Sequence, residues 1–312
     1  MKISIQNGST IWEIGAEKTY RLFRDAGFEA IDWGLERFLP SSVLYEGKFA
    51  GYSILEKPLD EILAYLEPEL KEIRKNGLTI TQAHAPLPAH SVKQPGVYPF
   101  MFKIYENCIR LCDAVGCKNL VIHGISHQKR DYSNTAEEIE EMNWKLYTSL
   151  IPVLRETNVT VCLENLFSGA PDSRGAEWVE GHCANPYAAV KLIDALNAEA
   201  GKECFGLCLD TGHLNMLHTD PRSYISILGK RIKALHIHDN NGINDLHVAP
   251  YNGNIIWKQY YTALRQIGYD GDINFETFNQ TTLKNIEEDL LPSQLKAIAE
   301  IGNLFRTRIQ QG

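Results

Sequence analysis

No stretch of the 312-residue chain approaches the ~20 consecutive apolar residues that a membrane-spanning helix needs, so a membrane role is not expected. There is also no low-complexity tract and no block of like charge. Residues 1–312 are therefore expected to fold throughout, as a single domain. Basic side chains are in deficit, 31 against 39 acidic ones, and the net charge of −8 should repel polyanions on average, which disfavours nucleic acid as a partner. Cysteine is sparse and odd in number at seven. Cys108, Cys112, Cys162, Cys204 and Cys208 fall inside strand-like or helix-like segments, where they read as small buried hydrophobes and not as a disulfide framework. The opening residues MKISIQNGST lack the apolar core and cleavage site of a secretion signal, so a reducing cytoplasm is the expected location.

What is present is alternation. Short β-rich runs recur at Ile3–Gln6, Glu29–Trp33, Leu78–Ala83, Asn119–His123, Val159–Glu164, Phe205–Asp210, Ile232–His238 and Asp272–Glu276. Between them lie amphipathic helix candidates: Leu55–Asn76, with Pro58 in its first turn, Tyr98–Val115, Thr135–Glu156, Pro186–Ala200, Pro221–Leu228, Trp257–Ile267 and Leu283–Arg308. Gly27, Gly77, Gly116, Gly201, Gly229 and Gly268 each precede a strand, where a left-handed helix C-cap favours glycine. Repeated βα units of this kind imply an α/β protein with a parallel sheet. A doubly wound sheet is the competitor, but the first strand-to-helix turn, Gln6–Ala16, carries no G-x-G-x-x-G phosphate loop. The expected architecture is a (β/α)8 TIM barrel with its active site at the C-terminal ends of the strands.

Residue parity along the strands carries the chemistry. Thr160, Cys162 and Glu164 share one face against Val161 and Leu163, and Gly206, Cys208 and Asp210 do so against Leu207 and Leu209. Ala234, His236 and His238 oppose Leu235 and Ile237, while Asp272, Asn274 and Glu276 oppose Ile273 and Phe275. The apolar parity must meet the helices, so the other parity points inward and gathers Glu164, Asp210, His236 and Glu276 at the barrel mouth. On parity alone His238 is an alternative to His236. Crowded carboxylates need a compensating charge, because burying one unpaired costs several kcal/mol or forces it to take a proton. A divalent cation meets that need, and mixed oxygen and nitrogen ligation suits Mn²⁺, Zn²⁺, Co²⁺ or Fe²⁺ better than Ca²⁺. His84 and His123 end two further strands, His213 follows Asp210 in Leu-Asp-Thr-Gly-His, and Asp245 and His247 lie in the loop after the seventh strand. Singly, each histidine reads as an ordinary hydrogen-bonded residue. Their recurrence at strand ends makes them candidates for substrate or metal contacts.

These motifs resemble the xylose isomerase-like barrel superfamily, in particular the sugar phosphate isomerase/epimerase branch that includes ketose 3-epimerases and inosose dehydratase. The resemblance rests on Leu163-Glu164-Asn165, on Leu209-Asp210-Thr211-Gly212-His213, on His236-Ile237-His238-Asp239-Asn240 with Asp245-Leu246-His247 and Gly253-Asn254-Ile255, and on Asn274-Phe275-Glu276. It implies one divalent ion, Mn²⁺ or Zn²⁺ first and Co²⁺, Fe²⁺ or Mg²⁺ as alternatives, held by Glu164, Asp210, His236 and Glu276. It also implies that Glu164 and Glu276 act as acid and base, that His213 contacts substrate, and that His236 rather than His238 is the ligand. His123, His84 and His238 are further substrate-binding candidates. The more distant endonuclease IV has the same barrel, and His84, His123, His213, Asp245 and His247 match its additional zinc ligands, which keeps a multinuclear zinc site open.

The segment Asp245–Gly253 departs from the Pro-Gly-x-Gly stretch common among the epimerases, and no phosphate-binding loop or Arg/Lys cluster marks a phosphorylated substrate. The expected reaction is metal-dependent isomerisation or epimerisation of a sugar, a sugar phosphate or a keto-polyol by proton removal next to a carbonyl, through an enediolate. Dehydration of the same intermediate is the close rival, and cleavage of abasic DNA the rival from another class. Trp12, Trp33 and Trp178 are candidate apolar walls for the sugar. Barrels of this branch pair, so a homodimer or homotetramer is expected. Phe100, Met101 and Phe102 could serve such an interface or an intramolecular helix contact equally.

Overall fold

The computed structural model describes residues 1–127, 134–169 and 178–311. Ten strands are present among them: β1 (Ile3–Gln6), β2 (Ala30–Gly34), β3 (Thr79–His84), β4 (Asn119–Val121), β5 (Thr160–Glu164), β6 (Phe167–Gly169), β7 (Trp178–Glu180), β8 (Phe205–Asp210), β9 (Ile232–His236) and β10 (Ile273–Phe275). Eight of them form one parallel sheet in the order β10-β1-β2-β3-β4-β5-β8-β9. A parallel bridge between Ile237 and Phe275 joins the two ends and closes the barrel. No strand order reverses, which removes the doubly wound alternative. The sequence runs match these strands to within two residues at each end. The exception is β6 with β7, an antiparallel hairpin that the sequence did not announce.

The helices are α1 (Gly8–Ala26), α2 (Ser41–Tyr45), α3 (Leu59–Lys75), α4 (Val97–Val115), α5 (Ala136–Ser149), α6 (Ile151–Glu156), α7 (Pro186–Ala200), α8 (Thr211–Met216), α9 (Pro221–Leu228), α10 (Trp257–Gln266) and α11 (Leu291–Gln310). Helix α7 illustrates why they form where they do. Asn185 caps it by accepting from the Tyr187 and Ala188 amides, Pro186 supplies a preset first residue, and Gly201 at φ 71° ends it in the left-handed region. Ala189, Ile193, Leu196 and Ala200, three or four residues apart, are buried, and full burial of each larger aliphatic contributes ~1.5–3 kcal/mol.

Several boundaries differ from the sequence reading. Helix α1 starts at Gly8, directly after β1, and the expected long turn to Ala16 is instead helix with one break at Gly15 (φ 76°, ψ 164°). The single helix expected over Thr135–Glu156 is two, because Pro152 has no N–H to continue the ladder through Leu150. Pro58 stands just ahead of α3, and the last helix begins at Leu291, after a 3₁₀ turn at Glu288–Leu290. All six inter-element glycines have positive φ, but Gly229 (φ 53°, ψ −130°) lies outside the left-handed helical region.

The parity argument holds in three dimensions. Ile3, Ile31, Val161, Leu207, Leu235 and Phe275 belong to the large core between sheet and helices. Val121, Cys162, Cys208 and Ala234 form a separate cluster inside the barrel. All seven cysteines are free and buried. Met101 is fully buried, and Phe100 and Phe102 pack within the chain, Phe100 against Phe49 at 4.7 Å and Phe102 against Tyr98 at 4.8 Å between ring centres. Among the described residues no helix is long and apolar enough to cross a membrane.

Candidate metal centre

Above the small apolar cluster the inward side chains turn ionic. His236 ends β9 beside Asp210 at the end of β8, its register partner. It is fully buried, and its Nδ1 lies 3.2 Å from Glu164, 3.7 Å from Glu276 and 4.0 Å from Asp210. The four residues expected to meet do meet, with all three carboxylates turned to one imidazole nitrogen.

The local sequence explains the placement. Asp210 is both the last residue of β8 and the N-cap of α8, its Oδ1 accepting from the His213 amide at 2.7 Å, which fixes His213 one turn into the helix. The Asn165 side chain clamps the strand ends by accepting from the Asp210 amide and donating to its carbonyl. The Thr211 hydroxyl donates to the His238 carbonyl, and Gly212 is indispensable because a Cβ there would sit 1.9 Å from the His238 ring. Asp239 ties down the following loop, accepting from the amides of Asn240, Tyr251 and Ile255 and from the Trp257 indole. That loop carries Asp245 and His247, and His247 takes a positive φ of 44°, a strained conformation for a non-glycine residue.

The outer ring is complete as well. His84 Nε2 is 3.1 Å from His123 Nε2, which is 3.0 Å from Glu164 Oε2. His213 Nδ1 lies 3.2 Å from Glu164 Oε1, and its Nε2 lies 3.6 Å from Asp245. His247 bridges Asp245 at 2.9 Å and Glu276 at 3.3 Å. Among the described residues five overlapping groups of donor atoms are compact enough for an ion: His213, His238, Asp245 and His247; His84, His123 and Glu164; Glu164, Cys208 and His236; Glu164, Asp210 and His213; and Asp210, His238 and Glu276.

Electrostatics follow from this crowding. Burial alone would raise the Glu164 carboxyl, but His123 and His236 outweigh it and hold the group well below the usual carboxylate range. Glu276 is lowered in the same way by His236 and His247. Burial opposes protonation of His213, His236 and His247, yet their carboxylate neighbours raise all three, His247 to about 10. His84 moves the other way, to about 4, through burial and the adjacent His123 and His236. The protein without metal therefore balances its carboxylates with imidazolium protons.

The donor set fits a divalent cation on an observation independent of any relative. Among the described residues Nδ1 of His236 is buried without a hydrogen bond while it faces three carboxylates, a lack that a metal ion there would meet. Asp32, which the sequence reading passed over, completes the arrangement from below. Its Oδ2 accepts from Gln82 and Asn274, each at 2.8 Å, and stands 3.3 Å from His236 Nε2, leaving Nδ1 to face the carboxylates. Alternation in β2 was the available signal, with Asp32 inward and Ile31 and Trp33 outward.

A cavity of about 400 Å³ opens onto the cluster, lined by Gln6, Gly8, Glu36, His84, Leu87, His123, Glu164, His213, Asp245, His247, Glu276 and Phe278. His238, expected at substrate, is not in this wall; it is fully buried behind it, with Nε2 3.0 Å from both Asp210 oxygens. Trp33 is a correction too, since it packs in the helix layer and donates to Glu69 at 2.9 Å. Trp12 is 63% exposed and borders a separate outer cleft of about 630 Å³ with Arg37, Phe38 and Tyr65. Trp178 alone approaches the mouth, stacked edge-on with Phe167, which in turn meets His213.

Residues 20–301 match the family described as xylose isomerase-like TIM barrel. The chain belongs to that family. Among curated relatives, the uncharacterized protein y4fM of Sinorhizobium fredii is 25% identical over 85% of this chain and 82% of its own length. The uncharacterized protein MJ1311 of Methanocaldococcus jannaschii is 27% identical over 55% of this chain and 53% of its own. Similar solved structures include an L-ribulose 3-epimerase (TM-score 0.68, 19% identity, covering 99% of this chain and 96% of that one). Others are a D-tagatose 3-epimerase-like protein (0.67, 21%, 97% and 99%) and the 3-keto-D-glucoside 4-epimerase of E. coli (0.66, 17%, 98% and 99%). At such identities these structures establish the shared fold.

Proposed function

We propose that this protein is a divalent-metal-dependent isomerase or epimerase of a sugar or keto-polyol. The observation that carries the reading is the convergence of Glu164, Asp210 and Glu276 on Nδ1 of the fully buried His236, beneath a cavity of sugar size. Glu164, Asp210, His236 and Glu276 hold the ion, Mn²⁺ or Zn²⁺ first. When bound, it stabilises negative charge developing on a substrate carbonyl oxygen and so eases removal of the neighbouring proton. Glu164 and Glu276 both line the cavity and stand on different strands. One takes the proton while the other returns one to the opposite face of the resulting enediolate, inverting the carbon. His123 and His213 each contact Glu164 and orient it, while His247 does the same for Glu276. The names of the similar structures, several of them sugar epimerases, agree with this reading.

Hydrolysis of a phosphodiester through several metal ions has one specific observation in its favour, the two further donor groups around His84 and Asp245. The net charge of −8 and a described cavity wall without Lys or Arg weigh against a nucleic-acid substrate.

Incubating the metal-loaded protein with a panel of ketoses and inososes in D2O tests the reading. Deuterium is expected at the carbon next to the carbonyl, and Glu164→Gln and Glu276→Gln should each slow its entry by roughly 10²–10⁴-fold. Exchange unchanged in both variants would overturn it.

A further inference from the structure

The cavity wall holds one acidic residue that neither the mechanism nor any candidate donor group above uses. Glu36 lies just past β2, in a one-turn 3₁₀ helix over Glu36–Phe38, and its side chain lines the cavity with Gln6 and Gly8. Two glycines make room for it. A Cβ on Gly34 would lie 2.6 Å from Glu36 Oε1, and one on Gly8 would lie 3.1 Å from the same atom. The only side-chain hydrogen bond to the carboxyl among the described residues is a long one, from Gln6 Nε2 to Oε1 at 3.4 Å. Oε2 is buried with no partner at all. Leaving a buried acceptor unsatisfied is destabilising, so a cradle that preserves it calls for a ligand that supplies the missing bond.

Resting on the proposed sugar chemistry, we infer that Glu36 is a specificity-determining residue that binds a hydroxyl group of an uncharged polyol chain. The neighbouring chemistry agrees. The described wall contains Glu36, Glu164, Asp245 and Glu276 and neither Lys nor Arg, so a phosphate-bearing chain would meet carboxyls where a free hydroxyl finds acceptors. Burial, with help from Asp32 and Glu276, raises the Glu36 carboxyl to about 8, but the role does not depend on that proton, since either form can hydrogen-bond a hydroxyl.

The test uses the full, metal-loaded chain and two readouts, calorimetric binding and deuterium entry from D2O, with free D-tagatose, D-allulose and D-fructose and with D-tagatose 6-phosphate as probes. Glu36→Ala should weaken binding and raise KM on the order of ten- to a hundred-fold while kcat stays within about threefold. Glu36→Gln, which keeps both a donor and an acceptor, should raise KM less than Glu36→Ala does, and its thermal unfolding checks that the fold survives a change at this position. Gly34→Ala, whose methyl group displaces the flexible end of Glu36 without a backbone conflict, should reproduce the raised KM. The phosphorylated probe should bind more weakly than free tagatose. Unchanged KM in Glu36→Ala, a loss confined to kcat, or preference for the phosphate would overturn the inference. Free sugars that bind the wild type but exchange no deuterium would sink the proton-abstraction reading while leaving the role of Glu36 measurable by calorimetry. If no free sugar binds the wild type, both fall.

Discussion

Two layers of the barrel interior, built from the same strands, have opposite character. Val121, Cys162, Cys208 and Ala234 form the floor, small, apolar and closed. Two residues further along β5, β8 and β9 stand Glu164, Asp210 and His236, equally buried but ionic, with Glu276 joining from the end of β10. A step of two along a strand keeps a side chain on the same face, so the difference owes nothing to direction. It reflects what each layer meets: neighbouring side chains below, and above them a cavity with room for substrate. The floor is stable on its own terms, whereas the mouth balances its carboxylates only with imidazolium protons or a metal ion.

The largest expected effect on this contrast comes from removing the proposed ion. At metal concentrations 100 to 1,000 times Kd, chelation should cost roughly 3–4 kcal/mol of stability and lower Tm; thermal unfolding with and without chelator measures it, and an unchanged Tm would contradict the account. The Asp32 contact comes next. Asp32→Asn should weaken metal affinity roughly 10- to 100-fold, because it removes the negative charge that stands 3.3 Å from His236 Nε2, and a metal titration reads the effect directly. In the floor, Val121→Ala should cost about 2 kcal/mol in denaturant unfolding yet leave metal affinity unchanged, since it deletes only packed methyl groups.

The contrast also shows in pH dependence. In the metal-free protein His247 is raised to about 10, so its stabilising contribution is complete below its ordinary value near 6.5 and is lost as pH rises through 10. The lowered Glu164 contributes in the other direction, fully above its ordinary range and lost as pH falls. Metal uptake must displace the imidazole protons, so affinity should increase with pH across the neutral range; affinity that falls with pH would show that the protons are held elsewhere.

The strands were legible because helices cover the outer face of every one, forcing an apolar parity outward and leaving the chemistry on the other. The same rule, carried into β2, would have turned Trp33 outward and found Asp32; its aromatic character drew attention to the wrong side. Glu36 was invisible for a different reason. It lies beyond the strand in a single 3₁₀ turn, with no period to reveal its direction, and only the spatial approach of Gly8 and Gly34 explains its position. The β6–β7 hairpin escaped notice because its strands, Phe167–Gly169 and Trp178–Glu180, pair antiparallel outside the repeating βα units that the alternation revealed. His236 and His238 share a parity, and sequence alone left both open. In the structure His236 Nδ1 faces all three carboxylates, while His238 Nε2 lies 3.0 Å from both Asp210 oxygens and His238 belongs to two candidate donor groups of its own.

The central claim is that the ionic layer is a metal site resting on an inert floor. Metal analysis of the purified chain after saturation and removal of excess ion tests it most directly, comparing wild type with His236→Ala. The account predicts at least about one tightly held divalent ion per chain in the wild type and a loss of affinity of roughly 10-fold or more in the variant. A wild type that retains no ion, or a variant that retains as much, would contradict it.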